Sequence, residues 1–251
     1  MKLLLRTPLI LIGLAGAMFA LVGCASVQRK LLYFPSHLPL ATELTPWLHN
    51  GETIGYAREV KEPEAVWLML HGNGGQAAHR ASALSCFSPR DSVFVLEYPG
   101  YGNRSGKPSL TAINEAARTA YALLRARFPS RPLCVVGESL GTGPACFLAT
   151  SPTPPEKLVL IVPYDELARV AKEHYPFLPV RLIMRDNWNN LQSLARYNGP
   201  LEIFAERFDT VIPIAHAQTL AASKPQSVFH ELIGGHNDWT RDPAVVIRYA
   251  R

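Results

Sequence analysis

The segment Val135-Val136-Gly137-Glu138-Ser139-Leu140-Gly141 restricts the architecture of this chain more than any other. Two β-branched residues run directly into a Gly-x-Ser-x-Gly pattern, and Ala145, Phe147 and Leu148 continue it in helix-compatible spacing. A strand that turns sharply into a helix at a serine reads as a nucleophile elbow, in which a strained backbone lifts the hydroxyl clear of the sheet. Glycine is required on either side because a Cβ there would meet the neighbouring strand and helix.

The rest of the chain supplies what such an elbow needs. Apolar runs at Ala65 to Leu70, Ser92 to Glu97, Leu133 to Gly137, Lys157 to Val162, Pro200 to Ala205 and Ser227 to Leu232 predict strands. Helical patterns over Gln76 to Phe87, Leu110 to Phe128, Ser139 to Thr150, Pro213 to Ala222 and Pro243 to Tyr249 lie between or after them. Strands alternating with helices predict an α/β fold, a mostly parallel sheet covered by helices on both faces. Leu48 to Val60 has room for two weaker strands at an antiparallel edge. The longest insertion, 164–198, predicts a small cap of two or three short helices whose apolar residues border a substrate pocket. With 251 residues, 48% of them hydrophobic, the chain suits one domain over 24–251, preceded by a leader at 1–23.

A serine hydroxyl is a weak nucleophile unless a base takes its proton and a third group orients that base. In this architecture the partners follow in the order Ser, acid, His. Of eight histidines, His236 is the one placed for the task, because it follows a strand and the flexible pair Gly234-Gly235. His230 reads as a strand or rim residue and His216 as a helix-surface residue. Asp209, in the loop after Pro200 to Ala205, is the expected acid; Asp165, after Lys157 to Val162, is the rival. Asp238 is too near His236 in sequence to orient it and reads as a loop tie. An oxyanion hole needs two backbone N–H donors. Leu140 supplies one, and the loop His71-Gly72-Asn73-Gly74-Gly75 the other, from Asn73 or alternatively Gly74. His71 reads as structural.

Taken with Tyr33-Phe34-Pro35, Tyr98-Pro99-Gly100-Tyr101-Gly102, Ser105-Gly106-Lys107-Pro108, Lys172-Glu173-His174-Tyr175-Pro176 and Gly235-His236-Asn237-Asp238, these motifs resemble the α/β-hydrolase family. The likeness is to its serine hydrolases of the ABHD-type and bud-emergence-type branch. It runs from about Leu31 nearly to the end. It implies the α/β-hydrolase fold and a cofactor-free esterase or thioesterase. Glu97, where the branch commonly has Asp, and Val162-Pro163-Tyr164-Asp165 depart from its pattern without touching the predicted catalytic residues.

At the start of the chain, Lys2 and Arg6 precede an apolar run from Leu9 to Val22 that ends in Gly23-Cys24. This reads as a secretory leader, and the cysteine makes it resemble a bacterial lipoprotein signal. That resemblance implies an acyl (palmitate-type) chain on Cys24. With Ala25 next, it implies a cell-envelope location outside the cytoplasm, on the periplasmic side of an outer membrane. The alternative is an uncut anchor over Thr7 to Gln28, which has no charge but contains Pro8 and three glycines. Losing Lys2 and Arg6 leaves a net charge of about +3, too small for a nucleic-acid partner. No His/Cys spacing predicts a metal, and the three remaining cysteines predict no disulfide framework.

The expectation is a membrane-tethered serine hydrolase acting on a small-molecule or lipid ester or thioester. The alternatives are a catalytically silent binding module on the same fold and a small peptidase.

Overall fold

The computed structural model describes residues 28–39 and 41–249. The predicted leader 1–23 and Cys24 lie outside the described residues. Eight strands form one sheet: β1 (Thr45–His49), β2 (Glu52–Arg58), β3 (Val66–Leu70), β4 (Ser92–Leu96), β5 (Leu133–Glu138), β6 (Leu158–Ile161), β7 (Leu201–Glu206) and β8 (Val228–Leu232). Their order across the sheet is β1-β2-β4-β3-β5-β6-β7-β8. The pairs β1–β2 and β2–β4 are antiparallel and the rest parallel.

Every residue of β3, β4 and β6 is buried. That is why these strands read as unbroken apolar runs: a parallel sheet covered on both sides leaves no polar face. The period of two still sorts the side chains. Val66, Leu68 and Leu70 of β3 join the core on one face, while Trp67 and Met69 join the core on the other. The first core is closed by α1 (Leu110–Arg127) and α2 (Thr142–Leu148). Helix α1 begins where the Ser109 hydroxyl accepts from Ala112 N at 3.1 Å. Its Ile113, Ala116, Ala117, Ala120, Tyr121 and Leu124 form the buried stripe, spaced three and four apart as an amphipathic helix requires.

Three short helices lie within 164–198: α3 (Leu167–His174), α4 (Val180–Ile183) and α5 (Asn190–Leu194). Helix α6 (Ile214–Ser223) follows β7. Among the described residues, no helix is long and apolar enough to cross a membrane.

Three helical expectations are corrected. The segment Ala77–Cys86 is a 3₁₀ helix, not an α-helix. The helix predicted from Ser139 is a 3₁₀ turn over Ser139–Gly141 before α2 begins. Pro243 to Tyr249 is not helical: Val245 and Ile247 are buried while Val246 between them is exposed. That alternation is extended backbone, and Ile247 N donates to Cys86 O at 2.8 Å. Three consecutive β-branched residues favour it.

The other face of the sheet holds one buried polar pair that the strands depend on. Asp91 accepts from Trp67 Nε1 at 2.9 Å and from Ala65 N at 3.1 Å. Trp67→Phe leaves one buried carboxylate oxygen unsatisfied, and the expected cost is about 1–3 kcal/mol. Urea unfolding checks this, and Asp91→Asn added to Trp67→Phe should recover part of the loss.

Candidate active site

The sheet reverses its strand order between β3 and β5. The chain leaves β3 to build β4 on one side and returns to build β5 on the other. In open α/β sheets the crevice at the carboxyl ends of such a pair is where ligands bind. The register sets Leu70 beside Gly137, so the loop after β3 and the turn after β5 emerge side by side.

At that turn Ser139 holds φ = 51°, a left-handed conformation that a residue with a Cβ seldom adopts. Its neighbours explain how it is held. A Cβ on Gly137 would stand 2.6 Å from Gly141 O and 2.7 Å from Ala145 Cβ, and one on Gly141 would run into Leu70 O. Thr142 Oγ1 donates to Ser139 O at 2.7 Å, and Asn190 Nδ2 donates to Thr142 Oγ1 at 3.2 Å and to Tyr164 O at 2.8 Å. The turn is thus fastened to the 164–198 insertion as well as to the sheet.

The structure brings Ser139, His236 and Asp209 together. His236 Nε2 lies 2.9 Å from Ser139 Oγ, and Nδ1 lies 2.6 Å from Asp209 Oδ2. With the ring proton on Nδ1, His236 donates to Asp209 and accepts from the serine hydroxyl. The other Asp209 oxygen accepts from Val211 N and Ile212 N, each at 2.8 Å. These bonds fix the plane of the carboxylate. Asp238 Oδ2 accepts from Gly235 N at 2.7 Å, holding the histidine loop by its glycines.

Asn73 and Leu140 line the same cleft as Ser139 and His236. Gly72 N is engaged by Glu138 Oε2 at 3.1 Å, whereas the Asn73 N–H has no acceptor among the described residues. The Asn73 side chain anchors the loop: its Oδ1 accepts from Phe34 N and from Tyr101 OH, and its Nδ2 donates to Leu32 O. His71 is wholly buried, with Nδ1 2.8 Å from Gly72 O. The cleft has a volume of about 540 Å³. Leu31 and Phe34 from the N-terminal segment, Val170 and Tyr175 from the 164–198 insertion, and Val211 give it an apolar wall.

Further pairings near the serine depend on contacts between distant parts of the chain. Arg80 Nε donates to Glu138 Oε2 at 2.6 Å beside the serine. Asp165 is not paired with His236; it faces His216 Nδ1 at 2.6 Å and also meets Arg169. His216 is therefore buried, not a helix-surface residue. The signal was present, because His216 shares its helical face with Ala217 and Leu220, which are buried too. Burial alone would raise the Asp165 carboxyl, but the hydrogen bond and charge of His216 leave it net below the ordinary range. For His216, burial opposes protonation, yet the bond to Asp165 leaves the imidazole net above its ordinary range.

Glu206, at the end of β7, is 1% exposed, and neither carboxylate oxygen has a partner among the described residues. Burial, then the charges of Asp242, Asp238 and Asp209, push it up to about 7, against the opposing effect of His236.

Searched family models return no match. An uncharacterized protein of Mycobacterium tuberculosis is 30% identical over 230 residues, covering 85% of this chain and 82% of that one. Lysophosphatidylserine lipase ABHD12 of Danio rerio is 28% identical over 207 residues, covering 72% of this chain and 52% of the relative, about half its length. The crystal structure of an alpha-beta hydrolase from Vibrio vulnificus superposes with a TM-score of 0.64 at 17% identity, covering 74% of this chain and 71% of that one. This chain has the α/β-hydrolase fold. Its sheet runs from an antiparallel edge to β8, and the switch point holds a serine, a histidine and a carboxylate in hydrogen-bonded sequence. Among the described residues, no His, Cys, Asp and Glu group is arranged to hold a metal ion.

Two outcomes follow from this geometry. Ser139→Gly relieves the left-handed strain, of order 1–3 kcal/mol, and raises the thermal midpoint by a few degrees in calorimetry while removing the hydroxyl. Glu206 has a raised folded-state pKa, so its contribution to stability is full below its unfolded value near 4.5 and is lost as pH rises through about 7. Glu206→Gln removes that decline, so denaturant midpoints measured from pH 4.5 to 8 fall in the wild type and flatten in the variant.

Proposed function

We propose that this α/β-hydrolase is a serine esterase, tethered to a membrane and acting on carboxylic esters or thioesters. The observation that carries the reading is the unbroken hydrogen-bonded chain from Ser139 Oγ through His236 to Asp209. The name of the lipase ABHD12, a relative over 72% of this chain, supports ester cleavage as the chemistry. The apolar wall of the cleft supports an acyl chain as part of the substrate.

In this reading Ser139 Oγ attacks the ester carbonyl as His236 Nε2 takes its proton. The imidazolium that forms is held by Asp209 through Nδ1–H. The N–H groups of Leu140 and Asn73 donate to the oxyanion, the charge that exists only in the tetrahedral intermediate. His236 then returns the proton to the leaving alkoxide or thiolate. Water, deprotonated by the same nitrogen, cleaves the acyl-enzyme and regenerates the serine. Arg80 Nε and Gly72 N both donate to Glu138 Oε2, which ties the residue before the serine to the Asn73 loop.

The tether belongs to the same proposal. The leader pattern ending at Cys24 supports a lipid-anchored protein in the cell envelope, outside the cytoplasm and on the periplasmic side of an outer membrane. A lipid on Cys24 would hold the cleft near esters carried in a bilayer.

Labelling with a fluorophosphonate probe tests the chemistry. Wild-type protein should be labelled and Ser139→Ala should not. Asp209→Asn should retain the fold by circular dichroism while kcat on p-nitrophenyl esters falls on the order of 10⁴-fold. Equal labelling of wild type and Ser139→Ala would remove the nucleophile from the account.

A further inference from the structure

We propose that the rim of the cleft is a docking face for an anionic lipid bilayer, so that the cleft opens onto the membrane surface. The proposal rests on the tethered reading above for its geometry, and not on the chemistry of Ser139.

Large apolar side chains left exposed gather at this rim. Phe177 is 98% exposed and Leu182 87%, with Leu31 at 65%, Phe34 at 59% and Tyr175 at 55%. Scattered exposed apolar residues are ordinary, but a cluster on one face marks a contact surface. These residues come from two chain segments that meet. Arg185 N donates to Gln28 Oε1 at 2.9 Å, and Tyr33 OH donates to Asp186 Oδ2 at 3.0 Å. His174 Nε2–H donates to Val211 O at 2.8 Å, closing the rim against the loop after β7. Leu31, Phe34 and Tyr175 also line the cleft, whereas Phe177 and Leu182 stand outside its lining. Phe177 sits between Pro176 and Pro179, whose fixed backbone dihedrals stiffen the turn that displays it.

The charge around the cluster suits an acidic leaflet. Lys30, Lys172, Arg181 and Arg185 are exposed in the same two segments; the acids beside them are Glu173, 49% exposed, and Glu166, which pairs with Arg181 at 3.2 Å. Long cationic side chains reach headgroups while their stems lie on apolar surface. The chain path agrees. Gln28 follows Cys24 by four residues, a span of at most about 14 Å, and Gln28 lies against Arg185 at this rim. An acyl chain on Cys24 would bring this side of the molecule to the leaflet. Phe177 and Leu182 would then add a second attachment to the first, and two attachments are what stable anchoring takes.

The test uses the full-length chain with Phe177→Cys, labelled with nitrobenzoxadiazole. Leu48→Cys on β1, at the opposite edge of the sheet, is labelled in the same way, with the unsubstituted chain as the blank. Each is mixed with vesicles of phosphatidylglycerol and phosphatidylethanolamine carrying doxyl-lipid quencher. The label at 177 should shift to the blue and be quenched, the label at 48 should do neither, and phosphatidylcholine vesicles should give a weaker effect. Equal quenching at both positions, or none at 177, would overturn the proposal. In the same chain, Phe177→Ser with Leu182→Ser should lower hydrolysis of a vesicle-embedded ester at least about tenfold, as expected for two apolar side chains withdrawn from lipid. A water-soluble short-chain ester should be cleaved at the wild-type rate. Unchanged rates on both esters, or a dimer in sedimentation that the double variant dissolves, would assign the face elsewhere. If Ser139→Ala still cleaves the soluble ester, the esterase reading fails while the fluorescence result stands.

Discussion

A single left-handed residue organises this molecule. Ser139 can hold φ = 51° because the positions two residues away on each side, 137 and 141, are glycine and because the turn is bonded to its surroundings. Leu70 O and the β3 loop crowd Gly141, α2 crowds Gly137, and Thr142 and Asn190 tie the turn to the 164–198 insertion. Backbone strain of this kind persists only where the surroundings over-determine it. The buried central strands are those surroundings. The fully buried β3 and β5 make the sheet rigid where the hydroxyl stands.

The switch in strand order turns that local constraint into a site. Because β3 and β5 are neighbours, the loop carrying Asn73 and the turn carrying Ser139 line one cleft without any long connection. Because β7 and β8 follow on the same side, the loops carrying Asp209 and His236 reach the serine from the other flank. Each functional group thus sits just beyond the carboxyl end of a different strand. Their spacing is set by the sheet, and the loops need only hold direction. Asp209 shows how direction is held: one oxygen takes two backbone N–H groups, and the other is left for the imidazole.

Much of this was legible in the sequence because it rests on local pattern. Of the six parallel strands all but β8 are largely apolar runs, and each lies within one residue of its predicted bounds. The elbow announces itself through Gly137 and Gly141. Asp209 and His236 were reachable because topology dictates which strand ends can carry them. What stayed hidden depends on contacts across the chain. His216 and Asp165 are 51 residues apart, and no periodicity in either segment names the other. Glu206 closes a strand like any polar end residue, and its burial comes from the Gly234–Asp238 loop folding over it. The segment after Pro243 was misread because Val245, Ile247 and Tyr249 suit a helix in composition while their spacing of two is that of extended chain. The 3₁₀ geometry of Ala77–Cys86 likewise left no mark in an amphipathic pattern.

The central claim is that Ser139 becomes covalently acylated on the path to product. Rapid acid quenching of the enzyme with p-nitrophenyl acetate, followed by peptide mass spectrometry, tests it most directly. The account predicts an acetyl group on the peptide containing Ser139 within the first turnover, absent from Ser139→Ala. Continued ester turnover with the acetyl group on another residue, or on none, would contradict it.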